Sequence, residues 1–301
     1  MTTQHATANR GGASGLAAQL LSDGTRRTFR IFFANRLSVV GVSIILIWIV
    51  VAIIGPSVAP YTYYEQHLAE RLQPPGGTHV LGTDHLGRDV LSRILWGTRV
   101  TLTWGLLPIV AAVLIGVPTG IVAGYFGGWL GVSIMRLADL FLSVPALMFA
   151  VAIAAALGPS LSSALVAVSL VWWPWYTRLM HAETLALKEK VFVEAAQGLG
   201  ASGVHVMLRH ILPNTVSTIL VRTSMDLGFS VLYMAALGFI GLGAQPPSPE
   251  WGLAVSIGRE YMPEFWWMAV FSGLAVFSVV FGFNMIGDGI RDAFDPEIRG
   301  R

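Results

Sequence analysis

The chain has 301 residues, 54% hydrophobic and 12% charged, with no cysteine and a formal net charge of +2. An ordinary soluble domain carries about 25% charged residues, so a disordered chain, a disulfide-stapled secreted scaffold and an ordinary soluble enzyme are excluded. The missing cysteines exclude thiolate metal sites and cysteine nucleophiles, and so small a net charge gives no case for nucleic acid. A polytopic membrane protein remains.

Charge-free stretches place the membrane. A charge at mid-bilayer costs roughly 2.5–3.5 kcal/mol, and a spanning helix needs about 20 apolar residues. Residues 1–36, with Arg10, Arg26, Arg27, Arg30 and Arg36, form an expected cytoplasmic tail. The first transmembrane segment takes 37–59, with its span over 37–57 ending near Gly55-Pro56. That apolar run is too long for a cleaved signal peptide.

Residues 60–101 form an expected extracytoplasmic loop. From Val90 it is amphipathic, and Thr83, Asp84 and Gly87 suit a capped turn before it. Asp89 and Arg93 have the spacing of a helix-supporting ion pair. His79 and His85 flank Asp84, and they read as ordinary solvated loop residues rather than metal ligands.

The second span is expected over 102–124. The third and fourth, 137–157 and 161–177, form a hairpin about Gly158-Pro159-Ser160. Pro108, Pro118 and Pro145 interrupt spans. Asp139 lies near the start of span three. Trp172, Trp173 and Trp175 read as an interfacial aromatic anchor at the end of span four.

The loop 181–213 holds two short helices. Gly200 ends the first in a left-handed conformation, Ser202 caps the second, and Pro213 resets the chain. This is either a knob that docks into another protein or a solvated connection. Span five covers 216–243 and carries Arg222 and Asp226 at i,i+4, an intramembrane or interfacial ion pair. A second extracytoplasmic loop covers 244–264. Span six, 265–287, starts at the Trp266-Trp267 anchor. It completes a core over 102–288, and 289–301 is a tail. Glycine, serine and threonine in spans two, five and six either pack helices closely or line a pore.

The expectation is an all-α protein with six transmembrane helices. Fourteen of the nineteen lysines and arginines fall on the side of the two termini, so both termini are expected in the cytoplasm.

Glu194-Ala195-Ala196, Gly200 and Ile211-Leu212-Pro213 resemble the EAA motif of bacterial ABC importer permeases, EAAxxxG followed by a hydrophobic residue and Leu-Pro. His210 stands where that family often has an apolar residue. LGTDHLGRDVLSRILWGTR, which includes Gly82, Thr83, Asp84, Gly87, Arg88 and Asp89, resembles the dipeptide/oligopeptide/nickel branch, DppC/OppC type. So do LADLFLSVPALMFAVAI, GFIGLGAQPPSPEWG and GDGIRDAFDPEIR.

The resemblance implies the type I ABC importer permease fold and a non-catalytic subunit of the bacterial inner membrane. It implies a second homologous permease, two ATP-binding subunits and an extracytoplasmic substrate-binding protein as partners. ATP and Mg would sit on the ATPase subunits, with no cofactor or metal on this chain. The coupling loop would comprise Glu194, Ala195, Ala196, Gly200, Leu212 and Pro213. Short peptides are the expected cargo, with a nickel chelate or glutathione as alternatives. The residues agree on one point: neither Lys188 nor Lys190 stands in a Gly-Lys-Ser/Thr phosphate loop.

Two rivals fit less well. A rhomboid-like protease needs a serine and a histidine within spans, but Ser14 and Ser202 lie outside them and no histidine lies inside one. An ion-coupled secondary transporter needs mid-span relay groups, and only Asp139 and Asp226 offer themselves.

Overall fold

A computed structural model of the protein describes residues 28–294. Expectations for 1–27 and 295–301 lie outside the described residues. Every regular element among the described residues is helical.

Residues 28–34 are helical and lead into α1 (Arg36–Val58), capped by the Asn35 side chain on Leu37 N–H. A long ordered loop, holding one 3₁₀ turn at Leu68–Glu70, then reaches α2 (Val90–Phe126). There follow α3 (Gly128–Leu142), α4 (Ala146–Leu157), α5 (Leu161–Lys188) and α6 (Val191–Gly198). Next come α7 (Gly203–Val206), a π-helical turn (Met207–Ile211) and α8 (Leu212–Ile240). α9 (Trp251–Arg259) and α10 (Trp267–Phe294) complete the series.

Packing falls into two apolar clusters that meet along α2. One joins α2 to α4 and α5, and also takes in Val193, Val206 and Ile211. The other joins α2 to α1, α8, α9 and α10. Close approach of α2 and α5 rests on three glycines four residues apart. A Cβ on Gly116 would stand 2.6 Å from Trp173 O, one on Gly120 2.4 Å from Thr177 O, and one on Gly124 2.7 Å from Thr184 Cβ. This is small-xxx-small packing, which lets membrane helices meet backbone to backbone. These glycines pack helices rather than line a pore.

Four helices are long and apolar enough to cross a membrane: α1, α2, the continuous Gly203–Ile240 and α10. α3 and α4 pass the same test only as a pair, bent by 89°. The expected single span 137–157 is therefore broken. α3 already begins at Gly128, and the chain turns at Ser143-Val144-Pro145 because proline disfavours helical backbone in the residue before it.

Pro108 and Pro118, expected to interrupt, lie inside an unbroken α2. Neighbouring helices and local adjustments can satisfy the carbonyls that a proline leaves free in packed membrane helices. The amphipathic segment from Val90 is likewise the first part of α2, not a separate loop helix.

The Trp172 anchor expectation also changes. α5 runs eleven residues past 177, and Trp172 and Trp173 are buried inside it. Trp172 meets Tyr233 edge-on at 4.7 Å, and Trp173 meets Phe141 at 5.2 Å. Pro213 does not reset the chain. It lies within the continuous Gly203–Ile240 helix, just after the π turn through which α7 passes into α8.

Candidate functional site

Three polar features stand out from the apolar framework. The first is the knob of α6 and α7. α6 buries Val193 against the α5 side of the bundle and leaves Glu194 and Ala195 exposed. The helix ends as its glycine suggests: Gly200 takes φ +83, and Ala201 N–H reaches back to Ala196 O. Ser202 Oγ accepts His205 N–H and starts α7. Leu199 is 90% exposed and Val191 79%, so the knob presents apolar side chains around Glu194. Its seat is Tyr125, which sequence reasoning did not single out. Lys188 Nζ donates to Tyr125 O at 2.8 Å and Gln197 Nε2 to its hydroxyl at 3.3 Å. Leu212 is half-buried and Pro213 exposed at the head of α8.

The second feature is a cap over the start of α2, built from the loop before it and the α8–α9 loop. Gly82, Thr83, Asp84, Gly87, Arg88 and Asp89 all come together there. Asp84 accepts Leu86 N–H and Arg88 N–H, and Arg88 Nε donates to it at 2.6 Å. Gly87 adopts φ +73, and a Cβ there would overlap His67 O. Asp89 caps α2 on Ser92 N–H.

The expected Asp89–Arg93 pair does not form. Arg93 is buried and instead donates to Tyr63 O and Ser248 O, both at 2.9 Å, tying the two loops together. Asp89 faces His79 instead, at 3.0 Å, while the other ring nitrogen lies 3.2 Å from Glu70. His79 is 1% exposed, a correction to the solvated reading. Burial disfavours its charged form, but the hydrogen bonds and charges of Asp89 and Glu70 outweigh that and hold its pKa above the usual 6.5. His85 stacks on Tyr261, and burial lowers its pKa.

Glu250 was missed altogether. It caps α9, accepting Gly252 N–H and Leu253 N–H at 2.8 Å, and lies 3.5 Å from Thr101 Oγ1. Burial pushes its carboxyl up to about 6, against the opposing pull of those donors. The only hint was an acidic residue directly after the Ser248-Pro249 pair and next to Trp251. Trp267, expected at the interface, is buried and donates Nε1–H to Thr83 O.

The third feature is a cleft between α5, α8 and α10. The Arg222–Asp226 pair forms, with Nε donating to Oδ2 at 2.8 Å. The Asp226 side chain is 4% exposed and that of Arg222 41%. Arg222 also lies over the Trp175 ring, 5.7 Å from its centroid. The cleft holds about 340 Å³ and is lined by Trp172, Trp175, Phe229, Tyr233, Asn284 and Asp288 beside the pair. A second cleft of about 470 Å³ shares Arg222 and Met225 with it and adds Arg291. An i,i+4 pair is worth about 0.2–0.5 kcal/mol to a helix, far less than the several kcal/mol of burying a charge. Helix stability alone does not account for it. Asp139 pairs with Arg178 at 3.1 Å, on the exposed surface.

The family model for the binding-protein-dependent transport system inner membrane component matches residues 116–300. The model for the N-terminal TM domain of oligopeptide transport permease C matches 25–75. Dipeptide transport system permease protein DppC of Alkalihalophilus pseudofirmus is 40% identical, over 91% of this chain and 90% of the relative. The probable D,D-dipeptide transport system permease protein DdpC of Escherichia coli K12 is 41% identical, over 88% and 89%. Glutathione transport system permease protein GsiD of Pectobacterium atrosepticum is 38% identical, over 91% of each. Among solved structures, the inward-facing MetNI methionine ABC transporter contains a chain with the same fold. Its TM-score is 0.51 at 19% identity, covering 66% of this chain and 96% of that one.

Proposed function

This chain belongs to the inner membrane components of binding-protein-dependent transport systems, and on that premise we propose that it lines half of a route by which short peptides enter the cell. It is a multi-pass membrane permease subunit of an ATP-driven importer. It is not an enzyme, and ATP is hydrolysed by a separate subunit. The peptide assignment rests on the relatives, two named for dipeptides and one for glutathione, itself a tripeptide.

In this reading the chain crosses the membrane six times, through α1, α2, the bent α3–α4 pair, α5, α8 and α10, with both termini in the cytoplasm. The cap of 60–101 and 244–264 faces outward, towards a substrate-binding protein. The knob faces the cytoplasm and docks on one of two ATP-binding subunits, which hold ATP and Mg. A second permease completes the path.

The observation that carries the coupling role is the geometry of the knob. Its exposed face combines Glu194 and Ala195 with solvated Val191 and Leu199, and such apolar exposure rimmed by polar groups marks interaction surfaces. From Gly203 the helix runs on to Ile240. A push on the knob therefore reaches Arg222 and Asp226 along one element. Glu194 supplies the polar contact, Ala195 and Ala196 permit close approach, and Gly200 sets the bend.

Ala195→Trp tests this reading. The side chain points to solvent, so the assembled complex is expected to melt as the wild type does. Peptide-stimulated ATP hydrolysis is expected to fall about tenfold or more, the equivalent of a 1.4 kcal/mol clash at the docking surface. Wild-type stimulation would show that the knob docks on nothing that matters for coupling.

A further inference from the structure

We propose that the Arg222–Asp226 pair, with Asp288, is a docking point for the charged ends of a zwitterionic short peptide in transit. The inference rests on the importer reading above and adds that this chain, and not only a binding protein, recognises cargo.

The pair lies in the Gly203–Ile240 helix, which is long and apolar enough to span. Ionisable residues in such helices are expensive, and they mark substrate pathways. The side chains are not closed on each other. Arg222 uses Nε for Asp226, and its two terminal nitrogens donate to no other group among the described residues. Trp175 holds the guanidinium plane from one side. A guanidinium with free parallel donors matches a carboxylate bidentately.

Across the cleft, Asp288 on α10 is exposed and has no ion-pair partner among the described residues. The cleft thus offers a donor fork and a carboxylate acceptor, the complement of a peptide's two termini. Trp172, Phe229 and Tyr233 supply apolar and aromatic walls for side chains of varied shape. Volumes of about 340 and 470 Å³ for the two clefts that meet at Arg222 fall within the roughly 300–1,000 Å³ of small-molecule sites.

The test uses the whole complex, purified with its second permease and ATPase subunits. The chain has no cysteine, so Phe229→Cys, or Asn284→Cys on the facing helix, places one thiol in the cleft. Labelling by a small thiosulfonate is read on this chain by mass spectrometry, with and without dialanine. Dialanine is expected to slow labelling several-fold. N-acetyl-dialanine amide, which lacks both charges, is expected to have no effect. Arg222→Gln is expected to abolish the protection while the second permease still co-purifies.

Labelling indifferent to dialanine at both positions, or slowed equally by the capped peptide, would overturn the proposal. So would loss of the second permease from the Arg222→Gln complex, which would make the pair an assembly contact. These failures are distinct from failure of the importer reading, which would appear as a preparation without an ATPase chain.

Discussion

His79 sits with both ring nitrogens against carboxylates, Asp89 at 3.0 Å and Glu70 at 3.2 Å. Both contacts are satisfied at once only by the doubly protonated ring, which agrees with its raised pKa. A histidine with a raised folded pKa adds stability that is complete below 6.5 and lost as the pH climbs through the folded value. Thermal unfolding of the wild type and His79→Gln should therefore differ most near pH 6, and the gap should close towards pH 9. A gap independent of pH would mean that the ring is neutral when folded. Gly97 makes a second demand, because a Cβ there would lie 2.2 Å from Pro249 O. Gly97→Ala is expected to cost about 1–3 kcal/mol, seen as a lower melting temperature, and an unchanged melt would contradict the packing of the cap. Little of this was legible in the sequence. The segment with Asp84 and Asp89 was recognisable as a unit, and the capped turn followed from Asp84 and Gly87. The burial of Arg93 and Glu250 was not, because it depends on Tyr63, Ser248 and Thr101, which lie 30 to 155 residues from their partners.

At the scale of elements, hydropathy located the helices and failed at their breaks. It measures whether a stretch prefers lipid, and says nothing of direction. The run through 128–157 carries only two charges, Arg136 and Asp139, and neither marks the place where it turns by 89°, at Val144-Pro145. Conversely, Pro108 and Pro118 break nothing, since α5 and α8 pack along α2 and hold it straight enough to remain one helix. The knob was the most legible element, as Gly200 and Ser202 act through local backbone chemistry. The α2–α5 contact yields a prediction. Gly120→Ala places a Cβ 2.4 Å from Thr177 O and is expected to destabilise by about 1–3 kcal/mol through overpacking. Gly198→Ala meets nothing within 4 Å and should melt at or above the wild-type temperature, since alanine is the better helix former. Equal melting of Gly120→Ala and wild type would mean that the two helices are further apart.

For the whole molecule, the orientation rests on the distribution of basic residues, and it can be read with single cysteines because the chain has none of its own. Thr78 and Ser202 are both exposed, one on the cap and one on the knob. Thr78→Cys should react with an impermeant maleimide on spheroplasts, whereas Ser202→Cys should react only after the membrane is opened. The reverse pattern would invert the protein. The central claim is that this chain is one of several subunits and draws its energy from another. The most direct measurement is purification of the tagged chain from its native membrane in gentle detergent, with mass spectrometry of the chains that accompany it. A second six-span permease and a chain bearing a nucleotide-binding P-loop are expected in the same preparation. Recovery of this chain alone, still moving solute without ATP after reconstitution, would contradict the account.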